Sequence, residues 1–186
     1  MSGWELPTSL NVCGTEYAIR SDFRAVLDIL KYFSDPEYEP DEKWEICLDI
    51  LYEDYGQMPW EHKGEAMRQA LWFIDMGSAA EEKSKPHTMD WEQDAPIIMP
   101  AVNKVLGGEI RAREYLHWWT FLGAYMETGE CLFAQVLSLR QKKATGKRFE
   151  KWERKFWENN KDICVLKKRY TEEEKAEQER LNALFD

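Results

Sequence analysis

Apolar residues recur at helical spacing along most of the chain, except for one short stretch near the N-terminus where they alternate with polar residues. In "VCGTEYAI" (12–19) this alternation surrounds a glycine, which predicts a β-hairpin that turns near Cys13-Gly14. Two short strands are marginal alone, so we expect them to pack against helices. Ser21 is the expected N-cap of the first helix. Its apolar positions are Phe23, Val26, Leu27 and Leu30.

Two further helices are predicted before the middle of the chain. The loop from Pro36 to Pro40 separates the first helix from a second, for which Asp41 is the expected cap. Its expected buried stripe is Trp44, Cys47, Leu48, Leu51 and Tyr55. A third helix is predicted from about Lys63 to Met76, and Gly77 ends it. Its expected inward residues are Met67, Ala70, Leu71 and Ile74. The polar, aperiodic segment 78–89 predicts a mobile loop.

The segment 90–108 gives conflicting helix signals. Asp90 and Gln93 have the spacing of a capping box. Pro96 and Pro100 fall inside the helical pattern that follows, and each proline in a regular helix interior costs about 3 kcal/mol. We therefore expect a kinked or broken helix, which Gly107-Gly108 closes.

The stretch "LHWWTFLGAYME" (116–127) is the most aromatic part of the chain. At about 100° per residue, one broad face of a helix holds Trp118, Trp119, Phe121, Leu122, Tyr125 and Met126. His117 and Ala124 fall outside that face, and we expect His117 to have a hydrogen-bonded structural role. A cofactor pocket and a partner surface are alternatives, but a domain core is the favoured interpretation. The core aromatic motif is then His117, Trp118, Trp119 and Phe121.

A turn at Thr128-Gly129 precedes another apolar stripe, which predicts an antiparallel αα-hairpin. That stripe is Leu132, Phe133, Val136, Leu137 and Leu139. Two more helical segments follow: a basic, aromatic one (147–162) and an acidic one with a capping box at Thr171 and Glu174. The predicted fold is mainly α, a compact bundle of about six or seven helices with a small N-terminal β-hairpin. We predict a helical domain over 1–140 and a helical extension, basic then acidic, over 141–186.

The charge of the chain is unevenly distributed. The net charge is −10 over 186 residues, yet residues 138–170 contain twelve Lys or Arg against four Asp or Glu. A basic helix with aromatic side chains could bind nucleic acid by phosphate contacts and stacking. The acidic remainder would repel a polyanion, so a surface helix with a packed aromatic stripe is favoured, and nucleic-acid binding through 140–170 is a weaker alternative.

Signatures of catalysis and of metal binding are absent from the sequence. Its four cysteines form no CxxC pair, its three histidines form no HExxH motif, and no GxSxG, P-loop or GxGxxG sequence occurs. We therefore predict no enzyme activity, no cofactor and no metal. No apolar run approaches the roughly 20 residues that span a bilayer. The N-terminus also lacks the pattern of a secretion signal, so a cytosolic protein without membrane contact is expected.

Five segments, in order, resemble the "gene product fifteen" family of long-tailed phages and prophages of Gram-positive bacteria. They are "GTEYAIRSDFR" (14–24), "EAMRQALWFI" (65–74), "DWEQDAPIIMPAVNKVLG" (90–107), "LHWWTFLGAYME" (116–127) and "LFAQVLSLR" (132–140). The chain departs from the family pattern at Pro96 and Pro100, and in the "RARE" stretch before the LHWW element. The resemblance implies a gene beside that of the tape-measure protein and a tail assembly chaperone in the host bacterial cytoplasm. It brings no catalytic residues.

The resemblance implies the tape-measure protein as the partner, together with other tail assembly proteins. We hypothesise a partner-binding groove lined by aromatic residues that the core does not require: Trp152, Phe156, Trp157 and Trp119. A structural component of the tail or virion is the alternative function. The oligomeric state is left open by the sequence.

Overall fold

The computed structural model describes residues 5–78 and 87–182. Most of the predicted mobile loop, 78–89, therefore lies outside the described residues. Within them, the elements are β1 (Ser9–Val12), β2 (Thr15–Ala18), α1 (Phe23–Ser34), α2 (Pro40–Leu51), α3 (Lys63–Ile74), α4 (Ala95–Leu106), α5 (Trp118–Met126), α6 (Leu132–Ala144), α7 (Lys151–Asn159), α8 (Lys161–Cys164) and α9 (Glu172–Asn182). The predicted mainly α fold with an N-terminal hairpin is confirmed. The four-residue helix α8 was not anticipated by the apolar pattern.

The hairpin turns where the sequence predicts. Cys13 and Gly14 both have positive φ, 51° and 84°, as a two-residue turn requires if it is to match the twist of the strands it joins. The antiparallel register pairs Val12 with Thr15. Leu10 and Val12 are fully buried, and β1 packs against α3. The hairpin is thus stabilised by helical neighbours, as expected for so short a sheet.

Two predicted helix caps are each displaced by one or two residues. The N-cap of α1 is Asp22, not Ser21, because the Asp22 carboxylate accepts a hydrogen bond from the backbone N–H of Arg24 at 3.0 Å. The N-cap of α2 is Glu39, not Asp41. Glu39 and Glu42 form a reciprocal capping box, and Pro40 occupies the first turn, where its missing N–H costs nothing.

Some predicted core positions are exposed. Trp44 is 51% exposed, because the buried residues of α2 (Cys47, Leu48 and Leu51) all lie in its second half. Leu71 of α3 is also exposed, while Phe73 is fully buried. Tyr55 lies beyond α2, in a 3₁₀ turn (Tyr55–Gln57). The periodicity of both helices was recognised correctly, but the width of the face that their neighbours cover was overestimated.

The segment 90–107 is interrupted at its beginning. Asp90 accepts hydrogen bonds from the backbone of Glu92 and Gln93 within a turn, and the helix begins only at Ala95, so the predicted capping box is wrong. Pro96 consequently lies in the first turn, where no donor is needed. The helix continues past Pro100 to Leu106. Gly107 ends it with a left-handed φ of 69°, as predicted.

Helices α5 and α6 do not form the predicted antiparallel pair. Helix α6 packs mainly against α4 and α8, and its contact with α5 lies near the connecting turn, where the rings of Tyr125 and Phe133 are 5.6 Å apart. The predicted apolar face of α5 is also rotated slightly. Ala124 is buried, whereas Met126 is exposed. Helix α4 contacts both α5 and α6.

A buried ion pair joins α4 to α6. The guanidinium of Arg140 (4% exposed side chain) donates to both carboxylate oxygens of Asp94 (1%) at 2.7 and 2.8 Å. Its three remaining N–H groups reach backbone carbonyls of Thr88, Ile163 and Cys164. All five guanidinium donors therefore have acceptors. The division into 1–140 and 141–186 stays a prediction, but Arg140 binds residues on both sides of it.

Substituting Arg140 tests how much this ion pair contributes to the free energy of unfolding. Arg140→Met leaves the Asp94 carboxylate buried without its partner and should lower the free energy of unfolding by about 3–5 kcal/mol in denaturant titrations. The exposed control Arg148→Met should change it by less than about 0.5 kcal/mol. The double variant Arg140→Met/Asp94→Leu should lose less than Arg140→Met alone. Equal losses in the single and double variants would contradict an interaction between the two charges.

Candidate partner-binding surface

The two adjacent tryptophans of the core motif both cap the same helix. The indole N–H of Trp118 donates to the carbonyl of Ile74 at 2.9 Å, and that of Trp119 donates to the carbonyl of Phe73 at 2.8 Å. The last carbonyls of a helix have no partner within it, so these bonds satisfy the C-terminus of α3. Trp118 is 1% exposed, whereas Trp119 is half-buried. The pair therefore joins α5 to α3.

His117 is the N-cap of α5 and is buried. Its Nδ1 accepts a hydrogen bond from the backbone N–H of Trp119 at 3.0 Å, so the proton of the neutral ring lies on Nε2 and is donated to the carbonyl of Pro7 at 2.9 Å. Burial lowers the pKa of His117, partly opposed by the hydrogen bond to Pro7. The ring is placed to hold the N-terminal segment against α5.

Phe121 completes the motif inside the core. Its ring stacks on that of Phe23 at 4.9 Å and on that of Trp118 at 5.5 Å. The backbone alongside is paired as well: Phe23 donates to the carbonyl of Leu116, and Leu116 donates to the carboxylate of Asp22, both at 2.9 Å. Two of the segments on which the family resemblance rests, 14–24 and 116–127, therefore meet here and build the core.

Trp119 is the one predicted partner-binding residue that also belongs to the core motif. Its ring lies 5.4 Å from that of Trp72 and 6.1 Å from that of Phe73. With its N–H bonded to Phe73, the indole is fixed between α3 and α5. Only part of it faces solvent, and the structure does not bring it together with the aromatic residues of α7.

Helix α7 carries the other three predicted partner-binding residues, and the structure separates them. Trp152 is 52% exposed, with its indole N–H bonded to the Glu150 carboxylate at 2.9 Å. Phe156 and Trp157 are half-buried. Trp157 lies against Phe149, with the ammonium of Lys143 4.4 Å from its ring centroid. Trp152 is thus available for contact, whereas Trp157 packs against Phe149 and Phe156 is only partly accessible.

A groove of about 580 Å³ runs between α6 and α7 beside Trp152. We call it the α6–α7 groove. Its lining residues are Glu130, Cys131, Ala134, Gln135, Ser138, Leu139, Trp152 and Glu153. Glu153 is buried at its edge, where Lys142 pairs with it at 2.5 Å and lowers its pKa. The groove therefore combines an exposed indole with small and polar side chains.

A second exposed aromatic surface was missed at the sequence level. Trp44 and Trp60 are 51% and 75% exposed and flank a groove of about 470 Å³ between α2 and the start of α3. Trp44 was assigned to the core because it fits the helical stripe. Trp60 lies in a 3₁₀ turn (Trp60–His62) after Pro59, outside any periodic segment. The sequence feature that indicates an exposed position for Trp60 is the proline directly before it.

The described residues contain no cluster of three or more His, Cys, Asp or Glu side chains that could hold a metal ion. Burial raises the pKa of the Cys47 thiol to about 12 and that of Cys164 above its ordinary value, so both stay protonated at neutral pH. Across 5–78 and 87–182, no helix is long and apolar enough to cross a bilayer.

These features define a mainly α protein whose aromatic motif is built into its core. The family model described as "Bacteriophage Gp15 protein" matches residues 4–170, and the chain therefore belongs to this phage protein family. The match confirms the resemblance that the five segments indicated, and it extends past them into α7 and α8. The chain has no significant match to a curated protein or to a solved structure.

The pKa of His117 gives a pH dependence that can be measured. Because its folded pKa lies below the unfolded value of about 6.5, the unfolded chain binds the proton first. The stability that the neutral ring contributes is complete above about pH 6.5 and is lost as the pH falls from there through the folded pKa. Between about pH 7.5 and 5.5, His117→Asn should therefore lose less unfolding free energy than the native chain does. An identical pH dependence in both proteins would contradict this assignment.

The two tryptophans should differ in their effect on stability. Trp118→Ala should cost about 3–5 kcal/mol of unfolding free energy, because it removes a fully buried ring and leaves the Ile74 carbonyl without its donor. Trp119→Ala should cost less, since that ring is only half-buried. Denaturant titration measures both. A greater loss of unfolding free energy for Trp119→Ala than for Trp118→Ala would show that the buried fraction of the ring does not determine the size of the loss.

Proposed function

We propose that this protein is a non-enzymatic tail assembly chaperone that binds the tape-measure protein in the host bacterial cytoplasm. Membership of the phage Gp15 family supports the proposal, because the family resemblance implies a gene beside that of the tape-measure protein. The observation that carries the binding site is Trp152, an indole 52% exposed at the edge of the α6–α7 groove. The chaperone holds its partner by contact, without making or breaking bonds.

One wall of the groove is part of a helix. The α6 residues that line it run from Ala134 to Leu139, which is about 9 Å of helix, so about one and a half turns of a bound helix can lie against them. Amphipathic helices bind such grooves through a few apolar side chains spaced three and four residues apart. Ala134 and Ser138 line the floor with small side chains, and such residues let a bound helix approach closely.

The energetic requirement is modest. Burying one large apolar side chain contributes about 1.5–3 kcal/mol, and micromolar binding needs about 8 kcal/mol after ordering costs. Trp152 with a few apolar partner residues therefore suffices for micromolar capture. The polar groove residues Gln135 and Glu130 keep the unoccupied groove compatible with water. Binding of this strength is reversible, which a chaperone requires if its client is later to enter the tail tube.

Replacing Trp152 tests the site. In co-expression with the tape-measure protein, the native chain should co-purify with it and increase its soluble amount. Trp152→Ala should weaken binding by about 10- to 30-fold, as loss of a central anchor does, with the melting temperature nearly unchanged because the ring is exposed. Affinity is measured by titration and melting by circular dichroism. Met126→Ala is the control, since it removes an exposed large apolar side chain that lines neither this groove nor the one beside Trp44 and Trp60.

Four outcomes would count against the proposal. Unchanged capture by Trp152→Ala would remove the α6–α7 groove as the site. Failure of the native chain to bind the tape-measure protein at all would remove the function. Stoichiometric amounts of the chain in purified virions, measured by mass spectrometry, would favour the alternative of a structural tail component. Salt-sensitive binding to DNA or RNA would favour the nucleic-acid alternative.

A further inference from the structure

The groove flanked by Trp44 and Trp60 has two carboxylates and one ammonium in its lining and lies within an acidic stretch of the chain. We call it the acidic indole groove; its lining residues are Asp41, Trp44, Glu45, Leu48, Trp60, Lys63 and Gly64. It lies in a stretch, residues 35–65, that holds eleven Asp or Glu against two Lys, a formal charge of −9. Asp41 and Glu45 of this lining are exposed. Two indoles and two carboxylates thus face solvent together.

The groove already binds one cationic side chain of its own chain. The ammonium of Lys63 lies 5.1 Å from the ring centroid of Trp60 and 4.7 Å from that of Tyr55. It also pairs with Glu45 at 3.0 Å. Hydrogen bonds to Tyr55 and Glu45 raise the pKa of Lys63, so it stays charged. The rings therefore have the geometry in which an indole attracts a cation. Trp44 also lines the groove and offers a further ring.

The chain also presents a surface of opposite charge. The outer face of α7, called here the basic outer face, consists of Lys151, Arg154 and Lys155, all exposed. None of the three forms an ion pair with another described residue. At about 100° per residue they lie on the side of α7 opposite Glu153 and Phe156. They do not line the α6–α7 groove.

We propose that the acidic indole groove of one copy binds the basic outer face of α7 in a second copy. Each cation placed over an exposed indole contributes about 0.5–1 kcal/mol, and more as water is excluded. The net charge of −10 does not prevent this contact, because charges farther apart than about 8–10 Å are screened at ordinary ionic strength while contacting pairs are not. The attraction acts between contacting charges of the groove and the α7 face, whereas the repulsion comes from charges farther apart, which salt screens.

The two surfaces differ, so the contact is head to tail. After one contact forms, the first copy still has an unused α7 face and the second an unused groove, so further copies add until a ring closes or an open chain forms. Helix α7 is nine residues long, about 13 Å, so each contact is small and the association should be weak and salt-sensitive. This inference does not depend on the proposed chaperone function.

The asymmetry of the contact allows a complementation experiment. The groove variant is Asp41→Lys/Trp44→Ala/Trp60→Ala, and the face variant is Lys151→Glu/Arg154→Glu/Lys155→Glu; all six positions are exposed. In sedimentation velocity at about 50 mM salt, the native chain should form species that grow with concentration and dissociate at about 500 mM salt. Each variant alone should be monomeric. Their equimolar mixture retains one intact contact and should form a dimer and nothing larger.

A control separates the specific contact from net charge. Lys104→Glu/Lys167→Glu/Lys168→Glu changes the total charge as much as the face variant does, at exposed positions outside both surfaces. It should assemble like the native chain, and melting curves should show all variants folded. The proposal is overturned if the native chain is monomeric throughout, which would leave the groove to a basic segment of another protein. It is also overturned if the mixture stays monomeric, or if the control loses assembly.

Discussion

The buried pair of Asp94 and Arg140 fixes the relative positions of α4, α6 and α8. Two charges removed from water are tolerated only when every donor and acceptor is satisfied. Here this condition requires the carbonyls of Thr88, Ile163 and Cys164 to converge on one guanidinium. The start of α4, the end of α6 and helix α8 are thereby held together. Because α7 lies between α6 and α8 in the chain, the α6–α7 groove depends on the same pair for its shape.

A second centre, around α5, explains how the aromatic motif is used. The two indoles satisfy carbonyls at the end of α3, and His117 fixes the N-terminal segment through Pro7. These side chains are committed to the fold by both packing and hydrogen bonds. Any surface for a partner must therefore come from aromatic residues outside this centre. Trp44, Trp60 and Trp152 meet that condition, each being at least half exposed.

The sequence predicts well those turns and helix ends that depend only on residues adjacent in the chain. The hairpin turn at Cys13-Gly14 and the end of α4 at Gly107 follow from local backbone preferences, and both are confirmed. Trp44 was misplaced, because helical periodicity identifies a face but not how far along the helix a neighbour covers it. A break in the segment 90–107 was expected from Pro96 and Pro100, but its position at Asp94 was not, and the Asp94 carboxylate pairs with an arginine 46 residues away. Among the predicted partner-binding residues, spacing alone does not distinguish exposed Trp152 from half-buried Trp157.

The hydrogen bond between Asp22 and the backbone of Leu116 joins residues 94 positions apart, and it has a consequence for synthesis. Helices α1 to α3 leave the ribosome well before α5 is made, so the cap of α1 and the terminal carbonyls of α3 wait for their partners. The early part of the nascent polypeptide cannot mature by itself. A fragment cut anywhere before residue 116 should therefore be a poor substitute for the whole, and dissection of this protein by truncation is best begun from the C-terminal end.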